Sequence, residues 1–280
     1  NILQQEVVPG DVDAVLASFY CEGSRDWRLT LISKSISWDH ENNKIEWETQ
    51  PKRYTYVLGE TETVTTAVQR FEWLMKQREG SVWLLDIIKA FSVERISAEF
   101  FKGYHHLFEK FEEYLVDQTA YFNYFKKFTK DGTEKEKKEE TERLIRNFIK
   151  KLFGRIVFLY FLQKKGWLGV PKEKKWGEGE RNFMRDLFEK FSKDPKFYEK
   201  CLAVLFFETL NTERKDEIFI ITKTKVPFLN GGLFDKDDIE PVDVKFPQAH
   251  FQELFDFFDQ YNFTIDENSP EDQDIGIDPE

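Results

Sequence analysis

The spacing of apolar and polar residues changes near residue 60 of the chain. Before it, apolar and polar residues alternate in Trp27–Leu31, Lys44–Thr49 and Arg53–Leu58, and Val15–Tyr20 is a short apolar run. Alternation places every second side chain on one face, which is typical of a β-strand. After residue 60, apolar residues recur at three- and four-residue steps, which is typical of amphipathic helices. The pattern predicts an α+β fold, in which a small antiparallel β-rich N-terminal unit is followed by a predominantly α-helical domain.

The helical part is divided by glycines and by runs of charge. Val82–Leu85 is a short apolar run that fits either a strand or a loop, and Ser92 is placed to cap the helix that follows it. Helices are predicted at Thr63–Lys76, after Ser92, and at Tyr121–Phe128, Thr133–Gly166, Arg181–Phe191, Lys196–Leu210 and Ala249–Tyr261. We expect a small α/β unit at 1–80, a helical connector domain at 81–265 and an acidic tail at 266–280.

The segment Thr133–Gly166 is the one around which we expect the other helices to pack. Its first half is amphipathic, whereas its second half, from Leu152 to Leu162, is apolar on nearly every side. Such a helix is either buried in a core or inserted in a membrane, and this run is shorter than the about 20 residues that span a bilayer. We therefore predict a core helix that enters from solvent and ends buried. Gly154 fits a close approach of another helix, although glycine costs about 1 kcal/mol of helix propensity relative to alanine.

The composition indicates which residues fill the core and in which cellular compartment the protein is expected. The chain has 29 Phe, 10 Tyr and 7 Trp among 280 residues, and Phe fills large gaps between packed helices. The two cysteines, Cys21 and Cys201, have no zinc-ligand spacing, which argues for a reducing compartment and against a disulfide scaffold. No signal peptide or membrane-spanning run is visible. We expect a cytoplasmic protein without a membrane partner.

The net charge of −11 conceals two regions of opposite sign. From Lys130 to Lys175 there are 14 basic and 7 acidic residues, a net of +7, and from Asp235 to Glu280 there are 2 basic and 15 acidic residues, a net of −13. A basic region within an acidic chain is compatible with a nucleic-acid-binding patch. The alternative is a solvated helix face in a charge-balanced protein.

Known catalytic motifs are absent from the sequence. There is no GxGxxG, no GxxxxGK[ST] and no HExxH, and we assign structural or solvated roles to the four histidines. A metal-dependent nuclease needs acidic residues and a Lys at a strand end. The triplets that begin at Glu136 and Glu173 match the Glu-x-Lys pattern, but they lie in a helical charge run and in a loop. Asp26 precedes the strand that carries Lys34, yet position 32 is Ile rather than an acid.

Several segments, in their order, resemble one family. The block VPFLNGGLF, in which Asn-Gly predicts a tight turn, is followed by an acidic stretch, a Phe-rich helix and IGIDPE. Before it come DWRLTLIS with PKRYTYVLGE, FSVERISAEFFKGYHHLFEKF and GRIVFLYFLQKKGWLG. This arrangement, from about residue 24 to 280, resembles the region before the methyltransferase domain in type IIG restriction-modification enzymes. These are adenine-specific DNA methyltransferases, and the phage-defence methyltransferases of BREX type are similar.

The resemblance implies a non-catalytic fragment of a DNA restriction-modification enzyme. The family binds S-adenosylmethionine through a Gly-containing loop and a flipped adenine through an Asn/Asp-Pro-Pro-aromatic motif, and this chain contains no Pro-Pro pair. We therefore expect no catalytic, cofactor-binding or metal-binding residue here. S-adenosylmethionine is expected in the full-length protein, with a covalently linked methyltransferase domain after Glu280 as one partner and double-stranded DNA as the other. The N-terminal unit would be a degenerate remnant of the family's nuclease.

The resemblance directs attention to cations of the central helix as DNA contacts. The candidate phosphate ligands are Lys150, Lys151, Arg155, Lys164 and Lys165. Arg155 could instead satisfy a buried partner next to Gly154. Two alternative functions stay open: a helical protein–protein interaction module without a nucleic-acid role, and a metal-dependent endonuclease in residues 1–80 that uses Asp26 and Lys34.

Overall fold

The computed structural model of the chain describes residues 14–39, 44–60, 62, 64–76, 84–91, 93–191, 194–229, 231–263 and 272–274. Within them a small sheet precedes a set of helices, so the predicted α+β class is confirmed. The described residues form two compact units. One contains residues 1–100 and 259–280, and the other, the helical unit, contains residues 101–258. The predicted division into domains at 80 and 265 stays a prediction.

The sheet is an antiparallel meander with one short added strand. Its strands are β1 (Ala14–Tyr20), β2 (Asp26–Asp39), β3 (Lys44–Gly59) and β4 (Asp272–Asp274), in that spatial order. β4 pairs in parallel with β3 at Arg53–Thr55, and the other pairs are antiparallel. The two strands predicted at Lys44–Thr49 and Arg53–Leu58 are therefore one.

Pro51 lies where the two predicted segments join. It pairs with Lys34, and the pairing register shifts between Lys34 and Ser35, so that β3 carries the extra residues Thr49 and Gln50. Proline has no N–H to donate to a ladder, and a bulge is one of the few places in a sheet where it is tolerated. The proline marks an irregularity within one long strand rather than its end.

The centre of the sheet is buried on both faces. Trp27, Leu29 and Leu31 were predicted to share one face of a strand; Trp27 is exposed and Leu29 is half-buried, and on the other face Thr30 is as deeply buried as Leu31. The Thr30 and Thr55 hydroxyls are 3.0 Å apart and hydrogen-bonded, which satisfies both groups away from water. The Tyr56 hydroxyl donates to the carbonyl of Ala90 at 2.6 Å, and burial raises the pKa of this phenol.

Helices account for most of the remaining chain. They are α1 (Thr65–Lys76), α2 (Leu84–Ala90), α3 (Val93–Asp117), α4 (Thr119–Lys126), α5 (Glu134–Lys164), α6 (Phe183–Lys190) and α7 (Gln248–Phe258). Two π-helical segments, Tyr198–Leu202 and Val204–Leu210, precede a single 3₁₀ turn at Gly232–Phe234.

Two local predictions have different outcomes. The run Val82–Leu85 was predicted as strand or loop, but Leu84 and Leu85 begin α2. Periodicity cannot separate a strand from a helix in an apolar run of four residues, so the prediction was wrong there. The proposed cap at Ser92, like Asn230 of the predicted Asn-Gly turn, lies outside the described residues.

The central helix α5 follows its prediction closely. A capping box begins it, because the Thr133 hydroxyl accepts from the backbone N–H of Glu136 and the Glu136 carboxylate accepts from the backbone N–H of Thr133. Buried residues are sparse in the first turns and nearly continuous from Leu152 to Gln163. The helix has 31 residues and is about 46 Å long. No helix among the described residues is long and apolar enough to cross a membrane.

Aromatic rings fill the space around α5 in the helical unit. The Phe153 ring lies edge-on to Tyr104, Phe108 and Phe111, with centroids 5.0 to 5.7 Å apart. Edge-to-face pairs of this kind stabilise a core by about 0.5–1.5 kcal/mol beyond their buried area. The high Phe content therefore fixes α5 within its neighbours and makes it a rigid support for the side chains on its surface.

Candidate nucleic-acid interface and cleft on the central helix

The five candidate phosphate ligands fall into three environments on α5. Lys150 and Lys151 lie midway along the helix, Lys164 and Lys165 lie at its C-terminal end, and Arg155 lies between them. At 1.5 Å per residue, Lys150 and Lys164 are about 21 Å apart along the axis. The four lysines are exposed or half-buried, whereas Arg155 is buried.

Arg155 binds protein groups instead of facing solvent. Its guanidinium forms a two-pronged ion pair with the carboxylate of Glu240, and it donates to the carbonyl oxygens of Leu233 at 2.8 Å and Asp235 at 2.9 Å. The side chains of Arg155 and Glu240 are 1 % and 2 % exposed. Arg155 is therefore not accessible to a phosphate in this structure. It instead binds a buried partner, Glu240, which is the alternative that the sequence left open.

Lys150 and Lys151 are neighbours with different surroundings. The ammonium of Lys151 lies 2.8 Å from the carboxylate of Asp237, and this lysine holds the pKa of Asp237 below its ordinary value. Lys150 is exposed and forms no ion pair or side-chain hydrogen bond with any described residue. Of the two, Lys150 is the cation whose charge is available to an incoming anion.

Lys164 and Lys165 lead into a loop that carries exposed tryptophans. The Lys165 ammonium lies 5.6 Å from the centre of the Trp167 ring, and the Lys225 ammonium lies 5.3 Å from that of Trp176. Both rings are about 40 % exposed. A ring with a cation beside it can stack on a base while the cation contacts a phosphate, which is a common arrangement in single-strand binding proteins.

Backbone hydrogen bonds hold this loop in one conformation. The carbonyl of Gly166 accepts from the backbone N–H groups of Gly177 at 3.1 Å and Gly179 at 2.9 Å, and Leu168 accepts from Glu180 at 2.9 Å. Gly166 has a φ of +70°, and a side chain there would collide with the backbone of Gly177. The glycines of this loop therefore allow its backbone segments to pack closely, and this packing positions the two tryptophans.

An acidic groove limits the basic surface on its N-terminal side. Arg146, one turn before Lys150, lies 2.8 Å from Glu112 of α3. The same groove is lined by the carboxylates of Glu109, Glu112, Glu113, Asp117 and Glu142. These charges repel a polyanion, so the surface of α5 that could accept one begins at Lys150.

A cleft of about 610 Å³ lies beside Lys150 in the helical unit. The side of α5 from Leu144 to Gly154 forms its floor, Phe125 of α4 forms one wall, and the segment 233–240 forms the other. Leu233 and Ile239 contribute apolar surface, and the Lys151–Asp237 ion pair lies at the rim. The cleft is mostly apolar; the two lysines and Asp237 lie at its rim, and the carboxylate of Glu240 is buried against Arg155.

Gly154 is the glycine for which the sequence predicted a close helix–helix approach. That prediction was wrong, because a Cβ atom at Gly154 would have no neighbour within 4 Å. The residue lies in regular helix, where glycine costs about 1 kcal/mol relative to alanine. Neither backbone strain nor tight packing within the described residues accounts for it, and its missing side chain leaves open space in the floor of the cleft.

The residues considered for an endonuclease are far apart. Asp26 and Lys34 lie on the same strand, β2, and eight residues at about 3.3 Å per residue separate them by about 26 Å. They are too far apart to act together in one active site. In the described part of the chain, no group of three or more His, Cys, Asp or Glu side chains is placed to hold a metal.

The sequence missed Glu240 and Lys225. Glu240 binds an arginine 85 positions away, and Lys225 reaches Trp176 because the backbone of Lys225 pairs with that of Val170. A Glu followed by Pro241 within an acidic stretch gives no sign that it alone is buried. The Trp residues of the loop 166–179 were visible in the sequence, and their spacing within a Lys-rich loop is the signal that could have indicated them.

Comparison of the chain with protein-family models, with curated proteins and with solved structures found no match. The resemblance to type IIG enzymes therefore stays a prediction. Support for a function has to come from the side chains and their geometry.

Proposed function

We propose that this chain is the non-catalytic N-terminal and helical part of an adenine-specific DNA restriction-modification enzyme. In this proposal the helical unit holds duplex DNA, and a covalently linked methyltransferase domain supplies the S-adenosylmethionine site. The observation that carries the proposal is the arrangement of Lys150, Lys164 and Lys165 on one helix that is fixed in an aromatic core. The family resemblance suggests that the reaction is adenine methylation. The basic region of the central helix suggests that the ligand is a polyanion such as DNA.

The geometry favours contact with the DNA backbone over base recognition. The about 21 Å between Lys150 and Lys164 corresponds to about six base-pair steps of 3.4 Å. Lysines at this spacing neutralise phosphates and fix the register of a duplex, and they carry no sequence information. Trp167, beside Lys165, offers a stacking surface for an unpaired base. Recognition of a specific sequence is assigned to another part of the full-length protein.

The test is duplex DNA binding by the 280-residue chain, measured by fluorescence anisotropy between 25 and 200 mM salt. We compare the wild type with the triple variant Lys150→Glu, Lys164→Glu, Lys165→Glu. Lys151 is left intact because its charge reversal would place two carboxylates together at Asp237. Each lost phosphate contact lowers the slope of log K against log[salt] by about 0.9. The triple variant is expected to bind at least tenfold more weakly and to lose about 2 to 3 from that slope.

The matched control reverses two lysines of the same helix that lie outside the candidate surface. Lys135 and Lys138 are 87 % and 67 % exposed and face Glu139 and Glu142 one turn later. Their double reversal to Glu changes the net charge by −4, against −6 in the triple variant, and is expected to change affinity less than twofold. Equal losses in both variants would show a non-specific charge effect. No binding at 25 mM salt would contradict the proposal and favour a protein–protein interaction module.

A further inference from the structure

We propose that the cleft between α5, α4 and the segment 233–240 binds a small molecule that has an aromatic or branched apolar body and one negative charge. The inference does not rest on the proposed function, although the two share Lys150, because a charged cleft of this shape can bind a small molecule whether or not the helix binds DNA. Size, an open glycine, a fixed wall and the charge at the rim each support it.

The size of the cleft fits a small molecule. Its floor extends from Leu144 to Gly154, which is about 15 Å of α5. The cleft has about 610 Å³, which lies within the roughly 300–1,000 Å³ that is typical of small-molecule sites.

The missing side chain at Gly154 leaves room for the proposed ligand in the floor of the cleft. Residues on either side of it, Phe153 and Arg155, point into the core and are buried, whereas a side chain at Gly154 would enter open space. Alanine or leucine at this position would improve the helix and reduce the cleft. The glycine is thus unfavourable for α5 taken alone, and its consequence in the structure is an accessible floor.

The far wall is preorganised by the residue next to that glycine. Arg155 donates to the carbonyls of Leu233 and Asp235 and binds the carboxylate of Glu240, so one buried side chain fixes three points of the segment 233–240. A wall that is already ordered loses little conformational entropy when a ligand binds. The apolar side chains of Leu233 and Ile239 are therefore held facing the floor before any ligand arrives.

The charge at the rim selects a monoanion. Lys150 and Lys151 carry two positive charges and Asp237 carries one negative charge, while Arg155 and Glu240 compensate each other below. One positive charge remains, and it belongs to Lys150, which has no ion-pair partner among the described residues. An anionic group at the mouth with an apolar body against Phe148 and Phe125 matches both features.

The experiment uses two fluorescent probes with the full 280-residue chain. The anionic probe is 8-anilinonaphthalene-1-sulfonate, and N-phenyl-1-naphthylamine has the same aromatic body without the sulfonate. Gly154→Leu fills the floor without changing any charge, and Lys150→Gln removes the charge without filling the floor. Lys138→Gln, at an exposed position near the start of α5, is the control.

The expected results separate shape from charge. Gly154→Leu weakens both probes more than tenfold, and Lys150→Gln weakens only the anionic probe, by about two- to fivefold, as expected for one solvent-exposed charge. Lys138→Gln leaves both probes unchanged. Since Gly154→Leu keeps every lysine, it leaves duplex DNA affinity unchanged, which distinguishes this site from the proposed DNA surface.

A second variant covers the case in which leucine disturbs the fold. Gly154→Ala adds one methyl group and is expected to raise the melting temperature by about 2–4 °C while weakening both probes two- to fivefold. Failure of the anionic probe to bind the wild type would overturn the proposal. So would a folded Gly154→Leu variant that binds both probes as the wild type does, or an equal effect of Lys150→Gln on the two probes.

Discussion

The two units each contain an arginine–glutamate pair, and the two pairs differ in their access to water. In the unit that contains the sheet, Arg70 of α1 forms a bidentate pair with Glu99 of α3, with N–O distances of 3.0 and 2.5 Å. In the helical unit, Arg155 pairs with Glu240 in the same manner. The Glu99 side chain is 46 % exposed, whereas that of Glu240 is 2 % exposed.

Because of this difference, removal of Arg70 is expected to cost little stability, whereas removal of Glu240 is expected to cost much more. If Arg70 is removed, water can solvate Glu99, and the cost stays small. If Glu240 is removed, the charge of Arg155 remains in a site without water, and such a loss costs about 3–5 kcal/mol. Buried ion pairs add little stability over apolar residues of the same shape, but they fix one arrangement of the groups around them. For Arg155 these groups are the wall of the cleft.

The largest expected effect comes from Glu240→Ala. The free energy of unfolding of the helical unit is expected to fall by about 3–5 kcal/mol, because the guanidinium of Arg155 loses its only described carboxylate partner. Urea unfolding followed by circular dichroism measures it. A loss below 1 kcal/mol would mean that water reaches Arg155, and the contrast between the two pairs would fail.

The double variant Arg155→Met, Glu240→Leu tests whether the cost is that of an unpaired charge. Removing both charges should recover most of the stability lost in Glu240→Ala. About 1–3 kcal/mol of destabilisation should remain, because the carbonyls of Leu233 and Asp235 lose their donors. The same urea measurement applies. A double variant no more stable than Glu240→Ala would indicate that the shape of the pair, and not its charge, is what matters.

The pair in the other unit is expected to respond asymmetrically and more weakly. Arg70→Met should cost about 1 kcal/mol or less, because the half-exposed carboxylate of Glu99 regains water. Glu99→Ala should cost more, about 1–3 kcal/mol, because the side chain of Arg70 is only 6 % exposed. Urea unfolding of the two variants measures the two costs, and their midpoints can be compared directly if the free energy of unfolding has the same dependence on urea concentration in both. Equal costs would show that both members are solvated alike.

The smallest effect belongs to the rim pair of Lys151 and Asp237. Lys151 lowers the pKa of Asp237 in the folded chain, so this carboxylate adds stability above its unfolded pKa of about 4, and the contribution disappears as pH falls through the folded value. Asp237→Asn should therefore cost a few tenths of a kcal/mol at pH 7 and nothing at pH 2. Urea unfolding at both pH values measures it. A constant difference between variant and wild type would exclude the ion pair as its cause.

Much of the fold could be predicted because neighbouring residues carried the signal. The helix α5 has a cap, a charged first half and an apolar second half within one continuous segment, and α7 shows the same three- and four-residue spacing. The prediction of strand or loop failed at Leu84 and Leu85, because the run of four apolar residues that contains them is too short to show a periodicity. The prediction from sequence also failed at Pro51, where a bulge shared with β2 lets one strand continue past a residue that usually ends one.

The candidate site was predicted only in part for a different reason. The sequence marks Lys150 and Lys151 as a polar face, and the structure places both at the surface. It also marks Arg155 as a cation, but the direction in which that cation points depends on Glu240, 85 residues later. Gly154 illustrates the same limit, since the sequence shows a missing side chain and not what lies beside it.

By itself, the sequence determined the fold class, the core helix and the aromatic character of the core, because these follow from periodicity and composition within short segments. Only the tertiary structure decided which charges are buried, that Gly154 faces open space and that the segment 233–240 encloses a cleft. The physical reason is the range of the interactions. Helix formation depends on residues three and four positions apart, whereas burial of an ion pair and the shape of a cleft depend on residues that only folding brings together.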